Sequence, residues 1–264
     1  MICNYTLAKK YFWKFKIFLK SLFVLKNWYV LPIVYFGLIQ KPVIYFKTRD
    51  GSNLKIRTGK DSSDIHIFVE IWLDNVYFKE FSVKKNSVII DIGSHIGLFS
   101  ILAARKSYEG KVYSFEPNEY NYKILSENIQ TNKIKNISHF NLAVSNTNGH
   151  VKLYCDENDF AAHSIHKKTP HSINVKSITI NDIFYENKIK NCDLLKLDCE
   201  GAEYDILMNT SPKIFEKINK ICIEYEYFNN EKKLGELVDI LNNYKFKIKK
   251  NQVSMNMGYL YAWK

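Results

Sequence analysis

The sequence predicts a Rossmann-like α/β fold: a mostly parallel central sheet with an antiparallel terminal strand pair, led by a basic helical N-terminal extension. Three observations point there. From Ser87 onward, short apolar runs alternate with helix-patterned stretches. The runs are continuously apolar rather than alternating, so their strands are buried on both faces, as in a parallel sheet covered by helices. The first run, Val88–Ile92, ends in a glycine-bearing bend that opens a helix, the arrangement with which open α/β sheets hold ligands.

Taken in order, Lys9–Lys26 reads as a helix. Tyr11, Phe12, Phe15, Phe18, Leu19, Leu22, Phe23 and Leu25 form a broad apolar face, with Lys9, Lys10, Lys14, Lys16 and Lys20 opposite and Lys26 intruding on the apolar side. After Pro42, Val43–Lys47 and Leu54–Arg57 flank the turn Arg49-Asp-Gly-Ser and form a hairpin. A helical stretch around Asp64–Leu73 leads to Val76–Phe81. Val88–Ile92 is a strand, Leu98–Ser107 a helix, Val112–Phe115 a strand, Glu119–Thr131 a helix and Ile137–Val144 a strand. Short β-like pieces at His150–Cys155 and Val175–Ile180 flank a polar loop. Leu194–Leu197 is a strand, Glu203–Met208 begins a helix, Ile221–Tyr225 is a strand and Lys232–Asn242 a helix. Phe246–Lys250 and Tyr259–Trp263 form the terminal antiparallel pair. The expected division is an extension with its hairpin over 1–85 and an α/β domain over 86–264.

A chain of 264 residues accommodates one large α/β domain with an accessory segment. Its net charge of +11 is not spread evenly: residues 1–49 hold nine Lys or Arg and no Asp or Glu, leaving +2 for the rest. The basic character belongs to the leading segment, so nucleic-acid binding is not expected. The longest uncharged stretch, Asn27–Gln40, has 14 residues and contains Pro32 and Gly37. A spanning helix needs roughly 20 apolar residues, so none is expected. Lysines interrupt every candidate signal core. A cytoplasmic location follows, with two fates for the leading helix. It packs on the domain with its lysines in water, or it lies peripherally on an anionic membrane, which an aromatic face and a lysine face suit. The five cysteines are odd in number and form no Cys-x-x-Cys pair; they read as small reduced core residues rather than a metal or redox site.

The bend at Asp91-Ile-Gly93-Ser94-His95-Ile-Gly97 carries the most information. Gly93 permits a tight turn and close backbone approach to a ligand, Gly97 lets the helix start pack near the strand, and the helix N-terminus offers unpaired amides. A dinucleotide loop requires Gly-x-Gly-x-x-Gly; counting from Gly93, its second and third glycines are His95 and Leu98. S-adenosylmethionine has no phosphate, carries cationic ammonium and sulfonium groups, and tolerates an acid at the strand end. The loop favours it. Glu116 ends the next strand, where a carboxylate can accept both ribose hydroxyls; the structural alternative is a charge at a helix N-terminus led by Pro117. The backbone around Ala143, at Asn141–Val144, is where the adenine edge is expected.

These segments resemble the FkbM family of S-adenosylmethionine-dependent methyltransferases. The resemblance rests on Asp91-Ile-Gly-Ser-His-Ile-Gly-Leu-Phe-Ser100, Val112-Tyr-Ser-Phe-Glu-Pro-Asn118, Asn141-Leu-Ala-Val, and above all Leu195-Lys-Leu-Asp198-Cys-Glu200-Gly201-Ala-Glu203. It covers about Glu70 to Tyr225. It implies a class I methyltransferase fold and O-methylation, often of a sugar hydroxyl or a secondary metabolite.

A saccharide or other hydroxyl-bearing small molecule is therefore the expected acceptor. Its hydroxyl is a poor nucleophile, so a positioned base or a metal helps remove the proton. Asp198 ends a strand at the edge where such sheets place ligands, and Glu200 and Glu203 follow at the start of the next helix. These three are the catalytic candidates, against the alternative that the two glutamates only stabilise the helix N-terminus. Lys196 either neutralises this group or emerges into solvent. Asp198, Glu224 and Glu226 can be combined into an oxygen-ligand cation site, although a salt-bridged edge is the simpler expectation; no metal ligands are assigned. His163, with Ser164 in the polar loop Asp156–Thr169, is a candidate general base; a solvated loop histidine is the default. Tyr77 and Glu70 are expected to close over the methionine end of the cofactor.

Overall fold

The computed structural model describes residues 2–38, 41–59, 62–156, 159–164, 171–199, 201–226, 231–254 and 257–264, with backbone alone at 2–12, 155–156, 159–164, 226 and 231–233. In chain order, α1 (Ile2–Val24) and α2 (Val30–Tyr35) precede an antiparallel hairpin of β1 (Val43–Lys47) and β2 (Asn53–Arg57). α3 (Asp64–Phe68) runs into a π-helical turn at Val69–Leu73 and a short 3-10 turn at Val76–Phe78. The alternating core follows as β3 (Val88–Ile92), α4 (Leu98–Lys106), β4 (Lys111–Phe115), α5 (Glu119–Thr131) and β5 (Ile137–Phe140). Next come β6 (Ala143–Val144), β7 (Gly149–Asp156), β8 (Asp159–Ser164) and β9 (His171–Ile178). The chain finishes with α6 (Ile180–Glu186), β10 (Leu194–Leu197), α7 (Glu203–Met208), α8 (Pro212–Lys217), β11 (Lys220–Glu226), α9 (Glu231–Asn243), β12 (Lys247–Gln252) and β13 (Met257–Trp263).

The central sheet has the order β12-β13-β11-β10-β3-β4-β5. β5, β4, β3, β10 and β11 are parallel, while β13 pairs antiparallel with both β11 and β12. From β3 the chain steps outward through β4 to β5, then returns to β10 on the other side of β3. The topological switch point therefore lies between β3 and β10, where open α/β sheets bind ligands. Ile92 stands opposite both Leu197 and Phe115, so the loops leaving β3, β4 and β10 share one edge. Cys192 and Cys222 are buried free thiols, and Cys199 is a half-buried one.

Two expectations need correction. Ile137–Val144 is not one strand: β5 stops at Phe140, and β6 joins a separate four-stranded sheet of order β6-β9-β7-β8. Asn141 makes the break, its side-chain amide donating to the Glu116 and Pro117 carbonyls at 2.8 and 3.0 Å. The polar segment Asp156–Thr169 is also not simply a loop, because β8 pairs antiparallel with β7. The apolar residues of β8, Phe160, Ala161 and Ala162, are consecutive rather than alternating, so no strand period shows.

The extension shares the core of the main domain. Ile17, Leu25, Leu31, Phe46 and Leu54 are buried in one cluster with Ile89, Phe99 and Leu125. The open edge of β2 is satisfied by α5: Asn53 N–H donates to Asn132 Oδ1 at 2.6 Å and Lys55 N–H to Asn128 Oδ1 at 2.7 Å, which covers that edge. The broad apolar face of α1 is wider than its packing groove. Ile17, Ser21 and Leu25 face inward, whereas Phe15, Leu19 and Phe23 remain exposed. Among the described residues no helix is long and apolar enough to cross a membrane.

Candidate active site

The bend after β3 is shaped by what lies behind it. Gly93 has φ +78, and a Cβ there would stand 1.7 Å from the Asp198 carbonyl oxygen. The loops leaving β3 and β10 thus touch backbone to backbone, which only glycine allows. Gly97, at φ +86, caps α4 against Leu125, 2.9 Å from where a Cβ would sit. His95 between them is also left-handed, at φ 51. The amides of Gly93 and Ser94 both donate to the Phe115 carbonyl at 3.0 Å, tying the bend to the end of β4. Ser94 Oγ donates to the Asp91 carbonyl at 3.0 Å.

Asp91 lies beneath the loop, fully buried. Its Oδ2 accepts from Ser100 Oγ at 2.5 Å and its Oδ1 from Lys196 Nζ at 3.0 Å. The same ammonium donates to the Gly93 carbonyl at 2.9 Å and stands 3.4 Å from Asp198 Oδ2. Burial opposes its charge, but Asp91 and Asp198 outweigh that and push the Lys196 pKa up. Lys196 therefore neutralises the acids at the switch point; it does not emerge into solvent.

Glu116 is buried at the end of β4. Its two oxygens accept from His95 N–H at 2.7 Å and Asn118 N–H at 2.9 Å. Burial raises its pKa to about 7 against the pull of these amides, the Asn121 side chain and Lys196. A carboxylate offers about four lone-pair sites, so capacity remains for a hydroxyl donor. Ala143 is buried in β6, paired with Ser177 of β9 and two residues beyond the Asn141 that grips the Glu116 carbonyl. The bend from Gly93 to Gly97 lacks the glycine spacing of a phosphate-binding loop and lies beside the Glu116 carboxylate, a donor and acceptor set that suits a ligand with hydroxyls and no phosphate.

Asp198 is the accessible acid, its side chain 30% exposed. The Tyr77 hydroxyl lies 2.8 Å from Asp198 Oδ2 and 2.9 Å from Glu224 Oε2. A phenol has one proton, so both contacts are hydrogen bonds only when one carboxyl is protonated. Burial, reinforced by Asp198 and Glu70, pushes the Glu224 pKa well up. The Tyr77 hydroxyl thus links Asp198 to Glu224. Glu70, on the π-helical turn, is raised to about 7 by burial and then by Asp198 and Asp74. The ring of Tyr77 packs edge-on against Phe99 and Tyr259, with centroids 5.1 and 5.7 Å away, and Lys196 Nζ sits 5.1 Å from its centroid.

The remaining candidates fall elsewhere. The Glu203 carboxylate is buried and accepts from Cys199 N–H at 2.7 Å and Gly201 N–H at 2.9 Å. It braces the turn that follows Asp198, and burial raises its pKa to about 7. Glu200 lies outside the described residues. His163 stands on β8 opposite Cys155 in the smaller sheet. Among the described residues no three His, Cys, Asp or Glu side chains come together to hold a metal ion. Sequence reasoning missed Arg57 and Asp64. Arg57 at the end of β2 forks onto the buried Asp64 at 2.8 and 3.0 Å and meets His95 Nε2 at 3.0 Å. Nothing in local spacing links a hairpin end to a loop 38 residues on.

A parallel sheet with a glycine bend at its switch point, a carboxylate ending the neighbouring strand and an acid across the divide define a class I methyltransferase fold. The chain belongs to the FkbM methyltransferase family: the Methyltransferase FkbM domain matches residues 91–248. Methyltransferase sdnD of Sordaria araneosa is 24% identical over 190 residues, covering 60% of this chain and 73% of that protein. Hexuronic acid methyltransferase AglP of Haloferax volcanii is 23% identical over 142 residues, covering 53% and 56%. The crystal structure of methyltransferase FkbM from Methylobacillus flagellatus shares the fold, with a TM-score of 0.53 at 18% identity, over 72% of this chain and 47% of that one.

Proposed function

We propose that this protein transfers a methyl group from S-adenosylmethionine to a hydroxyl oxygen of a saccharide, with Asp198 accepting the hydroxyl proton. The observation behind this reading is the placement of Asp198, an accessible acid at the switch point in backbone contact with Gly93. In this reading the Gly93–Gly97 bend, with Ser94 and His95, holds the cofactor, Glu116 takes its ribose and the Ala143 backbone its adenine edge. The bound cofactor supplies a methyl carbon made electrophilic by a sulfonium. The chain supplies alignment and a base: Tyr77 orients Asp198, the Lys196 ammonium stands 3.4 Å from its Oδ2, and the ring cluster of Tyr77, Phe99 and Tyr259 excludes water behind it. A saccharide acceptor is supported by the hexuronic acid methyltransferase among the relatives.

The test is methyl transfer from labelled S-adenosylmethionine to a panel of neutral and uronic-acid glycans, followed by mass. D198N should lower kcat by about 100-fold or more, the contribution of a positioned base, while cofactor affinity stays within a few-fold. Unchanged turnover in D198N would remove Asp198 from the chemistry, and a product methylated on nitrogen or carbon would rule out the reaction class.

A further inference from the structure

The outward face of α1 remains unexplained by the catalytic site. Phe15, Leu19 and Phe23, spaced one turn apart, are 55%, 39% and 79% exposed, whereas Ile17 and Leu25 behind them are buried. Leaving one such residue in water is ordinary; a stripe of three on one helix face is not. The stripe lies in a segment carrying nine Lys or Arg and no acid over residues 1–49. Lys16, Lys20 and Lys26 are exposed along it. Lys20 is anchored to Asp74 at 2.6 Å and Arg49 Nε to the Leu22 carbonyl at 3.0 Å, so the helix is held in place with this face outward.

We propose that this face docks the protein on an anionic lipid bilayer. An apolar stripe bordered by lysines is the composition of a helix lying in the interfacial plane, its rings among the acyl chains and its ammonium groups at the headgroup phosphates. Charge selects lipid over a second copy of this chain: two such faces brought together would oppose lysine to lysine. The inner stripe on the core holds the helix parallel to the surface that the outer stripe meets, and no helix among the described residues competes by spanning.

The test is co-sedimentation of the full chain with phosphatidylcholine vesicles, with and without a quarter of phosphatidylglycerol. Binding should require the anionic lipid and weaken as salt is raised. F15S/L19S/F23S should abolish it. K16E/K26E should weaken it at least about tenfold, since each basic residue near an anionic surface contributes roughly fivefold. A thermal melt checks that both variants fold; if the triple variant does not, K16E/K26E decides. Equal binding to neutral vesicles, no binding to either, or a lipid-indifferent dimer in sedimentation velocity that the triple variant dissolves would overturn the proposal.

Discussion

Lys196 joins the two acids of the switch point, and its removal separates their roles. Among the described residues its ammonium, 2% exposed, is the cation paired with the fully buried Asp91. Replacing it with Met leaves that carboxylate uncompensated, and K196M should lose about 3–5 kcal/mol of stability in a denaturant titration, with D91N/K196M recovering part of the loss. The sequence left Lys196 open between neutralising the acids and facing water, because a lysine one residue from a buried pair is compatible with both faces of a strand. Glu203 carries a second test. Its folded pKa of about 7 lies above its ordinary 4.5, so the folded state holds the proton more tightly than the unfolded chain. That contribution is present below the ordinary value and is lost as pH rises through about 7. The ligand-free protein should therefore melt at lower temperature at pH 8 than at pH 5. E203Q should be less stable at both, having lost an amide contact, but with a flatter slope; an unchanged slope would show that Glu203 titrates normally.

Among the elements, the bend after β3 was the most legible, because its strand, glycines and helix are contiguous and each reports a local geometry. The structure adds why Gly93 is needed: the Asp198 carbonyl occupies the space of a side chain. G93A should force the β3 and β10 loops apart. Its expected cost is about 3 kcal/mol or more, the scale of core overpacking with backbone strain; a melt within a degree or two of wild type would contradict the contact. The β6–β9 sheet was less legible. Although β7 and β9 were visible as short β-like pieces, β6 has two residues, β8 lies in a segment read as a loop, and the break at Asn141 depends on carbonyls 24 and 25 positions earlier. The role of the last signature acid was legible only in part. Glu203 was read as a catalytic candidate or a helix-terminus charge, and it is found bracing the turn after Asp198 through two amides.

At the scale of the whole molecule, the parallel sheet and its antiparallel end followed from the alternation of apolar runs and helical patches. How the extension meets the domain did not. Arg57, Asp64 and His95 come together only because β2 lies along α5, held by Asn128 and Asn132, and no periodicity encodes that docking. The extension thereby braces the loop on which cofactor binding is proposed to depend. The most direct measurement is calorimetric titration of the full chain with S-adenosylmethionine. Wild type should bind at micromolar concentration, E116Q at least about tenfold more weakly through loss of a charged hydrogen bond, and D198N nearly as wild type. E116Q binding as tightly as wild type, or a wild type that prefers a phosphate-bearing nucleotide, would contradict the assignment of the switch-point groove.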